Sequence, residues 1–204
     1  MNRIGVLIFI VLTPAICAEE PTDQALVDQL VSSNPTTTGV ILEHLPQNWS
    51  VEEDDRVWKI FQKIKDRGSE IIPALIKNFD RKEFSTTISG ATPYWPASIG
   101  HMCQKVIEDI FDPVHRLYKV RERGNGKVQA GQTYFSWYLT DKNMALQWWE
   151  SHKTKTRIEI QTEIRDWHIQ RERKFGFDSK EDEERILKLI DTRFRRAMEP
   201  KHEE

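Results

Sequence analysis

Six histidines are the side chains of this sequence best suited to metal binding or to proton transfer near neutral pH: His44, His101, His115, His152, His168 and His202. No two of them lie four residues apart, as the paired ligands on a metalloprotease helix do. His101 shares the polar side of its predicted helix with Lys105 and Glu108, which indicates a solvated face. The histidine spacing therefore predicts no metal site, and no cofactor motif accompanies it.

Cysteine and serine provide no recognisable nucleophile. Cys103 falls within an apolar helical stripe, where a thiol is normally a small, inert hydrophobic side chain. No serine lies in a G-x-S-x-G turn, and no glycine-rich loop could hold a phosphate. Carboxylates are numerous, with 32 Asp and Glu residues, and any two of them could meet in the fold. No catalytic residue is predicted, and a hydrolase with paired carboxylates stays an alternative.

Seven tryptophans are the most informative excess in the composition. Four lie on or near helical stripes and are predicted to be in the core: Trp58, Trp148, Trp149 and Trp167. Tyr94 and Trp95 differ, because Pro93 and Pro96 stiffen the loop that carries them. They are the candidate binding residues, for a protein or a glycan. In the alternative, which the rarity of exposed tryptophan favours, the two rings fold back and close the end of a helical stack.

The N-terminus predicts export. Arg3 gives a positive start, and residues 4–18 are almost uninterruptedly apolar before two glutamates. This pattern is typical of a secretory signal peptide, and the run is shorter than the about 20 apolar residues that span a bilayer. We expect cleavage after Ala18 or after Cys17, a secreted or periplasmic protein, and no stable membrane span afterwards. The alternative is a retained N-terminal anchor.

Residues 19–204 are enough for a single domain, and their composition indicates helices. Charged residues make up 30% of the chain and hydrophobic residues 38%, which is typical of amphipathic helices around thin cores. The formal net charge is −2, with basic and acidic residues interspersed, so no basic face for nucleic acid is predicted. Only Cys103 remains after signal cleavage, so no intramolecular disulfide can form.

On each side of Gly68, apolar residues repeat at the spacing that places them on one face of a helix. The stripe before it is Val57, Ile60, Phe61 and Ile64, and the stripe after it is Ile72, Leu75, Ile76 and Phe79. Two short amphipathic helices joined by such a turn are expected to pack together and bury their stripes. Shifting the sequence by 31 residues aligns Leu26 with Val57. Ile41 and Leu45, one helical turn apart, predict a further short helix over 37–45, which Pro46 is expected to end.

Residues 68–76, Gly-Ser-Glu-Ile-Ile-Pro-Ala-Leu-Ile, resemble the second-helix signature of HEAT repeats, in which a proline precedes an Ala-Leu-Ile run. The resemblance covers residues 54–80. It implies an α-α repeat and an interaction surface, and it carries no catalytic residue. Residues 148–177 resemble segments of uncharacterised exported bacterial proteins, a resemblance that implies no function.

The fold class predicted from these patterns is mainly α, a short HEAT-like superhelical stack of amphipathic helices. Further helices are expected from about Ser98, and from Asp141, Thr156 and Ser179, which can cap a helix start. Residues 50–53 and 156–159 each match the capping-box pattern. Residues 80–97 are rich in turn formers and predict a loop. Residues 116–139 predict either a β-hairpin around a Gly-Asn-Gly turn or an irregular crossing.

Two functions follow as expectations. The first is an exported, non-enzymatic interaction or scaffold module that binds a protein or a glycan. The alternative is an extracytoplasmic hydrolase that uses clustered carboxylates or histidines at the loop-rich end. A concave site collecting those groups would favour the hydrolase.

Overall fold

The computed structural model describes residues 20–35, 42–88, 95–114 and 133–199, together with the backbone pairing of 122–123 and 126–127. Over these residues the protein is mainly α-helical, as predicted. The described helices are α1 (Asp23–Asp28), α2 (Val51–Asp66), α3 (Ile72–Lys77), α4 (Ile99–Phe111), α5 (Lys142–His152), α6 (Arg157–Phe175) and α7 (Lys180–Met198). None of the described helices has the length and apolar character needed to cross a membrane. The predicted signal peptide lies outside the described residues.

Side-chain caps start the helices close to where the sequence predicted. The capping residues are Thr22, Ser50, Ser98, Asp141, Thr156 and Ser179. At α6 the predicted capping box is complete, because Glu159 also accepts from the backbone N–H of Thr156 at 2.7 Å. At the start of α2 the predicted capping box is only half formed. Ser50 caps the N–H of Glu53, but its own N–H donates to the side chain of Asn34 at 2.8 Å.

Helix α4 lies at the centre of the core. It packs against α2, α3 and α6, while α1 also contacts both α2 and α3. Every position of its predicted apolar stripe is buried: Ile99, Met102, Cys103, Val106, Ile107, Ile110 and Phe111. The stripes predicted on either side of Gly68 are buried as well. Burial of each such side chain stabilises the fold by about 1.5–3 kcal/mol, so these stripes are the main source of the helical packing.

A small antiparallel sheet occupies residues that the sequence predicted as a loop. Strand β1 (Phe84–Ile88) pairs with β2 (Trp95–Ser98), and Thr87 lies opposite Pro96. The loop prediction was therefore wrong for these residues. The β-branched run from Thr86 to Ile88 favours a strand, and this local preference outweighs the glycine and proline content nearby.

A second, shorter strand pair lies within residues 116–139. Strand β3 (Glu122–Arg123) pairs antiparallel with β4 (Gly126–Lys127), at the turn that the hairpin alternative predicted. The second arm of that predicted hairpin does not extend to residue 139, because Tyr134–Ser136 form a 3-10 turn. The other residues between 115 and 132 lie outside the described part of the chain.

The prediction of a helix over residues 37–45 is wrong for the part of this range that the structure describes. Residues 42–45 form no helix, and residues 36–41 lie outside the described ranges. Pro46, which was expected to end this helix, instead accepts a turn hydrogen bond from the N–H of Trp49 at 3.0 Å. The guanidinium of Arg56 on α2 donates to the carbonyls of Gln29 and Val31, which directly follow α1, and so joins the two segments.

Candidate binding surface

Trp95 lies at the start of β2 and is 56% exposed. This exposure contradicts the interpretation that the sequence favoured, in which the ring closes the end of the helical stack. Tyr94 lies outside the described residues, so its part in a binding site stays a prediction. An exposed tryptophan is uncommon, so Trp95 stays a candidate contact residue.

A larger group of aromatic side chains lies where the 3-10 turn meets α6. Trp137 and Tyr138, directly after the turn, are 57% and 36% exposed. The ring of Tyr138 lies 5.3 Å from that of buried Tyr134, and Tyr134 meets Trp167 edge to face at 5.6 Å. The turn and α6 are therefore joined by aromatic contacts that continue from the core to the surface.

The same aromatic group continues along α6 at intervals of four residues. The guanidinium carbon of Arg171 lies 5.4 Å from the ring centroids of both Trp167 and Phe175, within the range of cation–π attraction. Phe175 is 46% exposed. We refer to Tyr138, Trp167, Arg171 and Phe175 as the aromatic stripe. Its side chains are of the types that dominate binding energy in protein interfaces.

A polar network beneath the aromatic stripe is centred on Glu163, one turn before Trp167 on α6. Its Oε1 accepts from the hydroxyl of Tyr134 at 3.2 Å and lies 3.0 Å from Nε2 of His152. Lys155 donates to Oε2 at 2.5 Å. Partial burial alone would raise the pKa of Glu163, but the bonds from Lys155 and His152 outweigh it and lower that pKa to about 2. The carboxylate therefore stays ionised and ties α5, α6 and the turn together.

Tyr134 is the residue through which this network reaches the aromatic rings. Burial raises the pKa of its hydroxyl, so the group stays protonated at neutral pH. The hydroxyl accepts from the indole N–H of Trp148 at 3.3 Å while it donates to Glu163. Both hydrogen-bonding roles are thus used inside the protein, which fixes the ring that supports Tyr138.

Ser151, His152 and Glu163 form a hydrogen-bonded series that superficially matches a serine-hydrolase triad. Ser151 Oγ lies 2.8 Å from Nδ1 of His152. However, the hydroxyl also donates to the carbonyl of Trp148 at 2.7 Å, and Nδ1 lies 2.7 Å from the same carbonyl. A serine nucleophile needs a histidine nitrogen that can accept its proton. Because Nδ1 faces a carbonyl, this series does not support the hydrolase alternative.

A buried, hydrogen-bonded pair of side chains joins α6 to the end of α4. His168 and Asp112 are fully buried, and Nε2 of His168 lies 3.0 Å from both carboxylate oxygens. One of those oxygens also accepts from the N–H of Val114 at 3.1 Å. The amide of Gln161 donates to the carbonyl of Ile110 at 2.8 Å. These bonds satisfy groups at the end of α4 that the helix itself leaves unsatisfied.

The buried role of His168 was not predicted, although the sequence carries a signal for it. His168 lies four residues after Ile164 and eight after Ile160, so it continues the buried face of α6. Its neighbour Trp167 then falls beside that face, with its ring 4.9 Å from that of His168. The buried pair therefore sets the rotation of α6 that brings the aromatic stripe to the surface.

The remaining candidates from the sequence lie as follows. Cys103 is buried, and burial raises the pKa of its thiol to about 12, so it is an inert core residue as predicted. His101 is exposed, also as predicted. Trp148 and Trp149 are buried, and Trp58 is partly buried against the core. Across the described ranges, no three His, Cys, Asp or Glu side chains are arranged to hold a metal ion.

No protein-family model, curated protein or solved structure matches this chain. What the protein does must therefore be inferred from its own side chains, and the exposed aromatic groups are the most distinctive of those described.

Proposed function

We propose that the protein is an exported helical interaction module that binds a protein partner. The observation that carries this proposal is the aromatic stripe, in which the exposed rings of Tyr138 on the turn and Phe175 on α6 lie beside partly buried Trp167 and Arg171. Tyr, Trp and Arg are the residues most enriched among binding hot spots. A glycan is the alternative partner, because exposed aromatic rings also offer apolar faces to a sugar.

Preorganisation supports the aromatic stripe as a binding surface. Arg171 is held between two rings, and the turn before Tyr138 is fixed through Tyr134 and Glu163. Side chains that are already ordered lose less conformational entropy on binding, so more of their contact energy appears as affinity. The resemblance of residues 54–80 to HEAT repeats, which implies an interaction surface, agrees with this proposal.

Affinity capture from the exported fraction of the source cells tests the binding function. Tyr138→Ala, Phe175→Ala and Trp95→Ala should each leave the melting temperature nearly unchanged, because these side chains are exposed. Loss of a hot-spot ring costs about 2 kcal/mol or more, so at least one variant should bind the captured partner about 30-fold more weakly. Titration of the purified partner measures this, and enzymatic deglycosylation of the partner separates protein from glycan recognition.

Leu189→Ala is the matched control, because Leu189 is an exposed apolar residue on α7 outside the aromatic stripe. It should bind like the unmodified protein. Equal weakening by Leu189→Ala and by the aromatic variants would contradict the proposed surface. Unchanged binding in both Tyr138→Ala and Phe175→Ala would contradict it as well, and weaker binding in Trp95→Ala alone would place the contact at β2 instead.

Export is tested separately by N-terminal sequencing of the protein from the extracytoplasmic fraction. The mature chain should begin at Glu19, or at Ala18 if cleavage follows Cys17, because the apolar run ends there. A chain that keeps Met1 and stays with the membrane would support a retained anchor instead.

A further inference from the structure

His152, the last residue of α5, has an acceptor at each ring nitrogen and is 7% exposed. Nδ1 lies 2.7 Å from the carbonyl oxygen of Trp148, and Nε2 lies 3.0 Å from Oε1 of Glu163. A carbonyl has no hydrogen to donate, and neither has an ionised carboxylate. Each of the two contacts is therefore a hydrogen bond only if the ring nitrogen itself carries a proton.

The neutral ring fits this position less well. With a proton on Nε2 alone, Ser151 could donate to Nδ1, since the two atoms are 2.8 Å apart. Nδ1 and the carbonyl oxygen of Trp148 would then be two acceptors 2.7 Å apart with no proton between them. That arrangement is repulsive. With the proton on Nδ1 alone, the bare Nε2 would instead face the ionised carboxylate of Glu163 at 3.0 Å, so either neutral form loses one of the two contacts.

The other groups around His152 also favour a positive charge. The imidazole stacks on the indole of Trp148, with 4.8 Å between ring centroids and 24° between their planes. The end of α5 presents the negative end of the helix dipole. Lys155 is a nearby cation that disfavours a positive charge on His152, but its ammonium binds the other carboxylate oxygen of Glu163, Oε2. Tyr134, which also faces Glu163, is neutral because burial raises the pKa of its hydroxyl.

We propose that His152 is a proton-dependent latch, in which the doubly protonated ring ties the end of α5 to α6 and loss of one proton releases it. The latch regulates the aromatic stripe, because Glu163 Oε1 also holds Tyr134, whose ring supports Tyr138. This regulatory consequence rests on the proposed binding function. The latch itself does not.

The direction of the pH dependence follows from which state holds the proton. The latched state holds one more proton than the released state, so a rise in pH favours release. On the acid side, Glu163, with its pKa lowered to about 2, contributes stability above about pH 4.5 that is lost as the pH falls toward 2.

Two measurements on the full mature chain test the latch, and neither needs a binding partner. The first is ¹⁵N NMR of the histidine rings at pH 6.0, with the His152 signals assigned by their loss in His152→Gln. We expect directly bonded protons on both ring nitrogens. The second is thermal unfolding between pH 5.5 and 8.5. The melting temperature should fall over this range by about 2–4 °C more in the unmodified protein than in His152→Gln, a shift typical of about 1 kcal/mol in a chain of this size.

His44→Gln is the matched control, because His44 is an exposed histidine outside the network. Its melting temperature should keep the pH dependence of the unmodified protein. A His152 ring with one bare nitrogen at pH 6.0 would overturn the proposal, and so would equal pH dependence in the unmodified protein and His152→Gln. If His152→Gln does not fold, the His152 signals can be assigned instead from the contact of its ring with the indole of Trp148, and the NMR result alone then tests the proposal. A confirmed latch with no captured partner would overturn only the proposed binding function.

Discussion

Asp112→Ala is expected to lower the free energy of unfolding by about 2–6 kcal/mol, because it leaves two buried polar groups without this partner at about 1–3 kcal/mol each. Both side chains of the pair are fully buried, and His168 loses the two 3.0 Å contacts that the carboxylate provides. The N–H of Val114 also loses its acceptor. Urea denaturation followed by tryptophan fluorescence measures the change.

Asp166→Ala is the control on the exposed side of α6. Asp166 is half exposed and pairs with Arg165 at 2.9 Å, so its removal should cost about 0.5 kcal/mol or less. The double variant Asp112→Leu/His168→Leu should cost less than the sum of the two single leucine variants, since neither side chain of the pair is then left facing a missing partner. Equal urea midpoints for Asp112→Ala and Asp166→Ala would show that the pair does not hold α6.

The parts of this fold that the sequence predicted are those decided by neighbours along the chain. Ser98 caps α4 through an N–H only three residues away, and Thr156 and Glu159 form their capping box over the same distance. Apolar residues at helical spacing then indicate which face is buried, because the helix brings them together whatever lies opposite. These local rules placed most helices and the α4 stripe correctly.

The errors come from contacts between distant parts of the chain. Strand β1 needs β2 beside it in addition to its own β-branched run, and the turn formers between the two strands concealed that pairing. The partner of His168 is 56 residues away, and no spacing rule connects the two. The aromatic stripe likewise joins Tyr138 to rings on α6 through Tyr134, a junction made by tertiary packing. Sequence reasoning found Trp95 from its flanking prolines but assigned the ring to the wrong environment.

For Gly100→Ala, helix propensity predicts a higher free energy of unfolding, whereas tertiary packing predicts a lower one. Gly100 lies in the first turn of α4, where helix propensity alone would make alanine more stable by about 1 kcal/mol. However, a Cβ atom added there would lie 2.0 Å from the carbonyl oxygen of Phe79 and 3.1 Å from that of Arg81. Both obstacles are backbone atoms, so no side-chain rotation can relieve the overlap.

The cost of Gly100→Ala comes from moving α4 away from the chain that follows α3. The N–H of Gly100 donates to the carbonyl of Arg81 at 3.1 Å, so the same shift weakens a backbone hydrogen bond. We expect a net loss of about 3 kcal/mol in the free energy of unfolding, at the upper end for an overpacked core. His101→Ala, at the adjacent exposed position, should change it by about 0.5 kcal/mol or less. A Gly100→Ala variant that is more stable than the unmodified protein would mean that α4 does not approach this carbonyl, and that the core around α4 is packed differently.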